Sequence, residues 1–98
     1  LKLNRTSITS VYTASLTDYY IGVDSTGSTI SLRLPDASTM FSGQTYVVKD
    51  EGGAANTNAI TILASGSQTI DGQNQVLLQS PYAALSLYSN GVSKYFIC

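Results

Sequence analysis

The sequence predicts an all-β fold, and three observations carry this prediction. Apolar and polar residues alternate with a period of two in several stretches, as in residues 28–34, where Ile30, Leu32 and Leu34 share one face. Such stretches recur every 8–12 residues or so, between turns that contain Gly, Pro or Asn, as is roughly typical of sandwiches and barrels. Helical periodicity is missing. We therefore expect a compact antiparallel β-sandwich of about eight short strands that closes in a C-terminal hairpin.

The first three predicted strands depend on β-branched and aromatic residues, which favour extended backbone. They cover residues 6–12, 19–23 and 28–34. The third strand ends at Pro35-Asp36, a dipeptide typical of turns.

The middle of the chain continues the pattern. Residues 36–42 have room for a single helical turn, with Asp36 as its N-cap. Residues 51–58 are polar and contain glycine, which predicts a loop. Further strands are predicted at residues 44–49, 59–63, 68–71 and 75–79.

The C-terminal residues 83–98 predict a β-hairpin. Asn90-Gly91 separates two alternating runs, and both central positions of a type I′ turn need the positive φ that Asn and Gly tolerate. A two-residue turn would pair Ser89 with Val92. Large apolar side chains then lie on both faces of the hairpin, which suggests that this end of the chain is packed inside a sheet.

Length and charge limit the possible classes of protein. Ninety-eight residues suffice for one domain with a single core, and we expect a head domain at residues 6–98 that follows the end of an extended shaft or linker at residues 1–5. The net charge is −1 and the five basic residues are scattered, so no nucleic-acid partner is expected. No apolar run is long enough to insert into a membrane. The single cysteine, Cys98, has no partner for an intramolecular disulfide.

A catalytic role is not expected. The chain contains no histidine, so it lacks the commonest general base and cannot form a Ser-His-Asp or Cys-His set by itself. Asp50-Glu51 beside Gly52-Gly53 offers oxygen ligands of the kind calcium prefers, but the spacing of a calcium loop is missing and a solvated turn is the usual explanation. We expect no enzymatic activity, no metal and no cofactor.

Seven tyrosines are an excess for this length, and tyrosine suits interfaces and carbohydrate-binding surfaces, although packing in the core or on a sheet face is the commoner role of any single one. Tyr19 and Tyr20 are adjacent, so their rings point to opposite faces of one strand. The pairs Val47-Val48 and Leu77-Leu78 repeat this arrangement. One two-layer domain has too little interior to bury apolar side chains on both faces of its strands. A symmetric oligomer would cover the surplus.

The order of several segments resembles the C-terminal head modules of viral fibres. These modules include those of phage tail fibres, giant-virus surface fibres and adenovirus-type fibre heads. The segments are DYYIGVD (18–24), TISLRLP (29–35), GQTYVVKD (43–50), NAITI (58–62), QTIDG (68–72) and LSLYSNG (85–91) leading to YFI (95–97).

The resemblance implies a homotrimeric head at the tip of a fibre on the virion surface, folded in the host-cell cytosol or nucleus. Its partners would be its own copies and a host-cell surface receptor, protein or glycan. Together with the apolar surplus, the resemblance predicts a trimer interface that uses part of the set Tyr12, Tyr20, Leu77, Tyr88, Tyr95 and Ile97. Exposed loops vary without harm to a core, which predicts receptor contacts at Ser25, Thr26, Ser38, Thr39, Asn56 and Asn58.

Two alternatives remain open at this point. The domain could be a purely structural trimerisation or folding clamp that binds no ligand. It could also be a carbohydrate-binding module of a larger protein, in which case a monomer with an exposed tyrosine platform is expected.

Overall fold

The structure, a computed structural model, describes residues 2–98 and is almost entirely β. Ten strands and one 3₁₀ turn, Ala37–Thr39, occur in this range. The strands are β1 (Arg5–Ile8), β2 (Tyr12–Thr13), β3 (Tyr20–Val23), β4 (Ile30–Arg33), β5 (Thr45–Asp50), β6 (Ile60–Leu63), β7 (Thr69–Ile70), β8 (Gln75–Leu78), β9 (Ala84–Ser89) and β10 (Lys94–Ile97).

The strands form two mixed sheets in a compact globule. The six-stranded sheet has the order β1-β3-β5-β9-β10-β7, and the four-stranded sheet has the order β2-β4-β6-β8. From β1 to β9, consecutive strands lie in different sheets. The chain therefore coils back and forth between the sheets.

The predicted antiparallel pairing is wrong for five of the eight strand pairs that the structure describes, among them β10 with β7. β1, β3 and β5 pair in parallel in one sheet, as do β2, β4 and β6 in the other. From β1 to β6 the chain crosses to the other sheet after each strand and returns to the first sheet in its original direction, so next-but-one strands of this part pair in parallel. Antiparallel pairing begins where β8 pairs with β6 and where β9 pairs with β5.

The register of β9 with β10 also differs from the prediction. Tyr95, rather than Val92, pairs with Ser89. The side-chain Oδ1 of Asn90 accepts hydrogen bonds of 2.9–3.0 Å from the backbone N–H groups of residues 92–94. This bonding stabilises a longer connection than the two-residue turn that Asn-Gly suggests, and it shifts the pairing by three residues.

The first predicted strand is divided in two, because residues 9–11 cross from β1 to β2. Arg5, which the sequence predicts to lie in the shaft or linker, belongs to β1 and pairs with Tyr20 of β3. Leu1 lies outside the described residues. The helical turn is confirmed as a 3₁₀ turn, in which the Asp36 side chain accepts a 2.9 Å hydrogen bond from the Ser38 N–H.

Side chains from the inward faces of both sheets form one hydrophobic core. Two tyrosines, Tyr46 and Tyr95, are its largest fully buried members. Their hydroxyls donate to backbone carbonyls, Tyr46 to Ser15 at 2.8 Å and Tyr95 to Pro35 at 2.7 Å. Burial raises the pKa of both phenols, so they remain donors at neutral pH.

We predict that Leu32→Ala and Leu63→Ala differ strongly in stability. Leu32 is fully buried between the sheets, and its truncation leaves a cavity that typically costs about 2–5 kcal/mol. Leu63 lies on the outer face of the four-stranded sheet and is partly exposed, so L63A should lower the free energy of unfolding by less than half as much. Urea unfolding measures both values, and equal losses would contradict this assignment of faces.

Candidate interaction surfaces

The two ends of the globule present different loops. β1, β3 and β5 all finish at the end that we call the upper end, which carries residues 9–11, 24–29, 51–59 and 79–83. The opposite, lower end carries residues 2–4, 14–19, 34–44 and 90–93. Hydrogen bonds join neighbouring loops there, for example from Asn4 Nδ2 to the Thr17 carbonyl and from Gln44 Nε2 to the Leu16 carbonyl, both at 2.8 Å.

Four of the six predicted receptor residues meet at the upper end. Ser25 Oγ donates to the Asn58 carbonyl at 2.8 Å, and Asn58 Nδ2 donates to the Ser25 carbonyl at 2.8 Å. Ser25 is fully buried, so the structure places it in a fastening role rather than on the surface. Thr26 and Asn56 are exposed.

The other two predicted receptor residues lie elsewhere. Ser38 and Thr39 are exposed in the 3₁₀ turn at the lower end. The Ser89 Oγ donates to the Ala37 carbonyl at 2.9 Å and fixes this turn against the end of β9. The predicted receptor set is therefore split between opposite ends, because loops that are similar in composition alternate between the ends of the coil.

A buried carboxylate organises the upper end. Asp50, the last residue of β5, has no exposed surface. Its Oδ1 accepts from the Gly53 N–H at 3.0 Å, and its Oδ2 accepts from the N–H groups of Ala55 at 3.1 Å and Tyr82 at 2.9 Å. Burial raises the pKa of Asp50, but these hydrogen bonds lower it by more than burial raises it. The pKa therefore lies below its ordinary value of 3.8. Asp50 is thus a structural anchor rather than the solvated turn residue expected from the sequence.

Tyr82 projects from the loop that Asp50 anchors. Its side chain is 60% exposed, and its φ of 60° lies in the left-handed region that non-glycine residues rarely adopt. Lys49 Nζ donates to the Tyr82 carbonyl. The ring lies against Gly53, where a Cβ atom would come within 2.6 Å of Tyr82 Cζ. Sequence reasoning missed this residue, since Pro81-Tyr82 indicates a turn without indicating which way the ring points.

The outer face of the six-stranded sheet carries two apolar pairs arranged on a diagonal, which we call the apolar row. Tyr20 and Val47 are paired neighbours on β3 and β5, and Tyr88 and Phe96 are paired neighbours on β9 and β10. The pairs are offset by two residues along the strands, because Val47 pairs with Ser86 rather than with Tyr88. The Tyr88 and Phe96 ring centroids lie 5.7 Å apart. Tyr20 is 44% exposed, and the other three are partly exposed. The expectation that apolar residues lie on both faces of the strands holds for this sheet.

The remaining predicted interface residues do not join this row. Leu77 lies on the outer face of the other sheet, and Ile97 is exposed near the end of β10. Tyr12 is partly buried, and its hydroxyl donates to Asp18 Oδ2 at 2.6 Å. Tyr95 is fully buried in the core, which removes it from the set that a partner could touch. Alternation along β10 places Phe96 outward instead.

The lower end exposes apolar residues that sequence reasoning did not select. Phe41 is 84% exposed, and Leu16 and Val92 are also exposed there. They belong to three separate loops, so no short sequence pattern connects them.

Residues 2–98 enclose no pocket, and no group of three or more His, Cys, Asp or Glu side chains in that range could hold a metal ion. Among the same residues, no helix has the length and apolar character to cross a membrane. The sequence matches no protein-family model and no curated protein.

We predict that Asp50→Ala is much more destabilising than Glu51→Ala. D50A leaves three N–H groups without their acceptor, and each buried unsatisfied donor costs about 1–3 kcal/mol, so a loss of roughly 3 kcal/mol or more is expected. E51A removes an exposed ion pair with Arg5 that solvent screens, so its loss of stability should be much smaller. Urea unfolding of both variants checks this, and a D50A loss as small as that of E51A would contradict the anchoring role.

Acid should weaken the fold through two carboxylates. Burial raises the pKa of Asp18, but hydrogen bonds from Thr6, Tyr12 and Ser15 lower it by more than burial raises it. The pKa of Asp18, like that of Asp50, therefore lies below 3.8. A depressed folded pKa contributes stability that is complete above the unfolded value and is lost as pH falls through the folded value. The urea midpoint should therefore fall between about pH 5 and pH 2.

The variant D50N tests the origin of this pH dependence. It should be less stable than the wild type at pH 7 but should lose less further stability on acidification. D71N, which changes an exposed carboxylate, serves as the matched control. The idea fails if D50N and the wild type lose the same stability between these pH values.

Proposed function

We propose that this chain is the head domain of a viral fibre, a β-sandwich that forms a homotrimer and attaches the virion to a host-cell receptor. The observation that carries the proposal is the apolar row on the outer face of the six-stranded sheet. A single copy leaves Tyr20, Val47, Tyr88 and Phe96 partly open to solvent, and aromatic residues of this kind are enriched where protein surfaces meet. The order of the sequence segments, which resembles that of fibre heads, supports the same conclusion.

The distribution of apolar side chains suits a cyclic assembly. A closed ring of three copies brings two different patches of each subunit into contact. The apolar row on one sheet and the surface around the exposed Leu77 on the opposite sheet would be these two patches. The Arg5–Glu51 ion pair borders the apolar row and would form part of a polar rim.

Attachment is assigned to the upper end. The exposed Thr26 and Asn56 belong to loops that Ser25, Asn58 and the Asp50 carboxylate hold in place. Rigid support of this kind limits the entropy that binding would otherwise cost. In this arrangement residues 2–4, at the lower end, face the fibre shaft, and the protein acts by binding rather than by catalysis. Its partners are its own copies and a cell-surface protein or glycan, with neither nucleic acid nor a membrane interior as a target.

The proposal predicts a particle with three times the 10.4 kDa chain mass in light scattering. The double variant Y20E/Y88E should be monomeric, because burying two new charges in the apolar row is unfavourable. Its circular dichroism should remain that of a folded β protein. S67E/N74E adds the same charge at exposed turns and should remain trimeric.

Cell binding by the same proteins completes the test. The trimer should bind susceptible host cells, and T26A/N56A should weaken this binding while it leaves the mass unchanged. A stable monomer at micromolar concentration would contradict the trimer proposal. Intact trimers that bind no cells would support a purely structural trimerisation clamp instead, whereas a monomer with saturable sugar binding would support a carbohydrate-binding module.

A further inference from the structure

Tyr82 occupies a position in its turn that normally selects another residue. The Ala83 N–H donates to the Ser80 carbonyl at 3.1 Å, which closes a four-residue turn with Pro81 second and Tyr82 third. With φ at 60°, the third position favours glycine or asparagine, because a Cβ atom crowds the backbone in this conformation. A tyrosine here is strained.

Burial accounts for the tyrosine only in part. One edge of the ring lies against Gly53, but the residue is 60% exposed, so most of the ring surface gains nothing from packing to offset the strain. The backbone, in contrast, is firmly held. Asp50 accepts from the Tyr82 N–H, and Lys49 donates to the Tyr82 carbonyl. These bonds would hold glycine equally well at this position. The network therefore fixes an aromatic ring in solvent, and strained residues that the surroundings hold in place tend to mark functional sites.

We propose that Tyr82 is the stacking platform of a glycan-binding site that takes a neutral pyranose ring. This inference rests on the proposed function, in which the upper end faces the host cell. The face of an aromatic ring carries partial negative charge and attracts the C–H groups on the apolar face of a sugar. The N–H groups of Ala55 and Tyr82 both donate to Asp50 Oδ2, which joins the loops that carry them. Asn56 follows Ala55, and its exposed side chain offers hydrogen bonds to sugar hydroxyls.

The charges nearby favour a neutral sugar over an acidic one. The carboxylate of Asp24 lies beside Gly52, next to the Gly53 that the Tyr82 ring contacts, whereas the carboxylate of Glu51 is paired with Arg5. The one cation at the turn, Lys49, already donates to the Tyr82 carbonyl and lies 5.8 Å from the ring centroid. An acidic sugar would therefore meet repulsion without an available cation to balance it.

The test compares Tyr82→Phe and Tyr82→Gly in the full chain on a glycan array that carries neutral and sialylated pyranosides. The wild type should bind neutral glycans, and Y82F should bind them with an affinity of the same order. Y82G should lose roughly tenfold or more in affinity, the effect expected from the loss of one stacking contact. F41A removes an even more exposed aromatic ring at the lower end and should bind as the wild type does.

Stability separates a binding role for the ring from a structural one. Y82G relieves the strained conformation, so its urea midpoint should equal or exceed that of the wild type. A clearly lower midpoint would show that the ring supports the fold and would overturn the inference. A preference for sialylated glycans, or neutral-glycan binding that Y82G retains, would overturn it as well.

The outcome can be distinguished from that of the proposed function. If wild-type trimers bind host cells, and protease treatment but not periodate oxidation of those cells abolishes binding, the receptor is a protein. The glycan inference then fails while the attachment role stands. If the wild type is monomeric and yet binds neutral glycans through Tyr82, the glycan inference stands and the fibre-head proposal fails.

Discussion

The Asp50 carboxylate is the interaction on which the upper end of this domain depends. It lies where parallel strand β5 ends and antiparallel strand β9 begins, with the Asp50 N–H donating to the Ala83 carbonyl at 2.8 Å. A buried charge without partners would be strongly unfavourable, but hydrogen bonds from three backbone N–H groups stabilise this one. Two loops that are distant in sequence are thereby held together. This anchoring makes the upper end a rigid binding surface rather than a set of independent loops.

The alternation of strands between the sheets explains the shape of the two surfaces. Because the chain changes sheets after each strand from β1 to β6, its loops in this part fall in turn at the upper and lower ends. β8 and β9 then pair antiparallel with β6 and β5. In the six-stranded sheet, β9 and β10 place the Tyr88–Phe96 pair diagonally from the Tyr20–Val47 pair. An apolar face of this extent arises from strands far apart in the sequence.

The sequence predicts the strands well and their partners poorly. Period-two alternation in residues 28–34 and 44–49 identifies β4, β5 and their inward faces, since burial on one face selects apolar side chains. The same alternation occurs in parallel and antiparallel sheets, so it says little about topology. Asn90-Gly91 indicates a turn, but the three hydrogen bonds that the Asn90 side chain accepts determine its length. The buried position of Asp50 depends on loops that meet only in the folded chain, and short-range patterns do not reveal it.

Amide hydrogen exchange tests the central claim most directly. The N–H groups of Gly53, Ala55 and Tyr82 lie outside the strands, where amides ordinarily exchange quickly, but each donates to Asp50. The account predicts that these three amides exchange as slowly as those of the adjoining strand β5 and far more slowly than the amide of the exposed Gly27. Exchange of all three at the rate of Gly27 would show that the carboxylate does not hold the loops together.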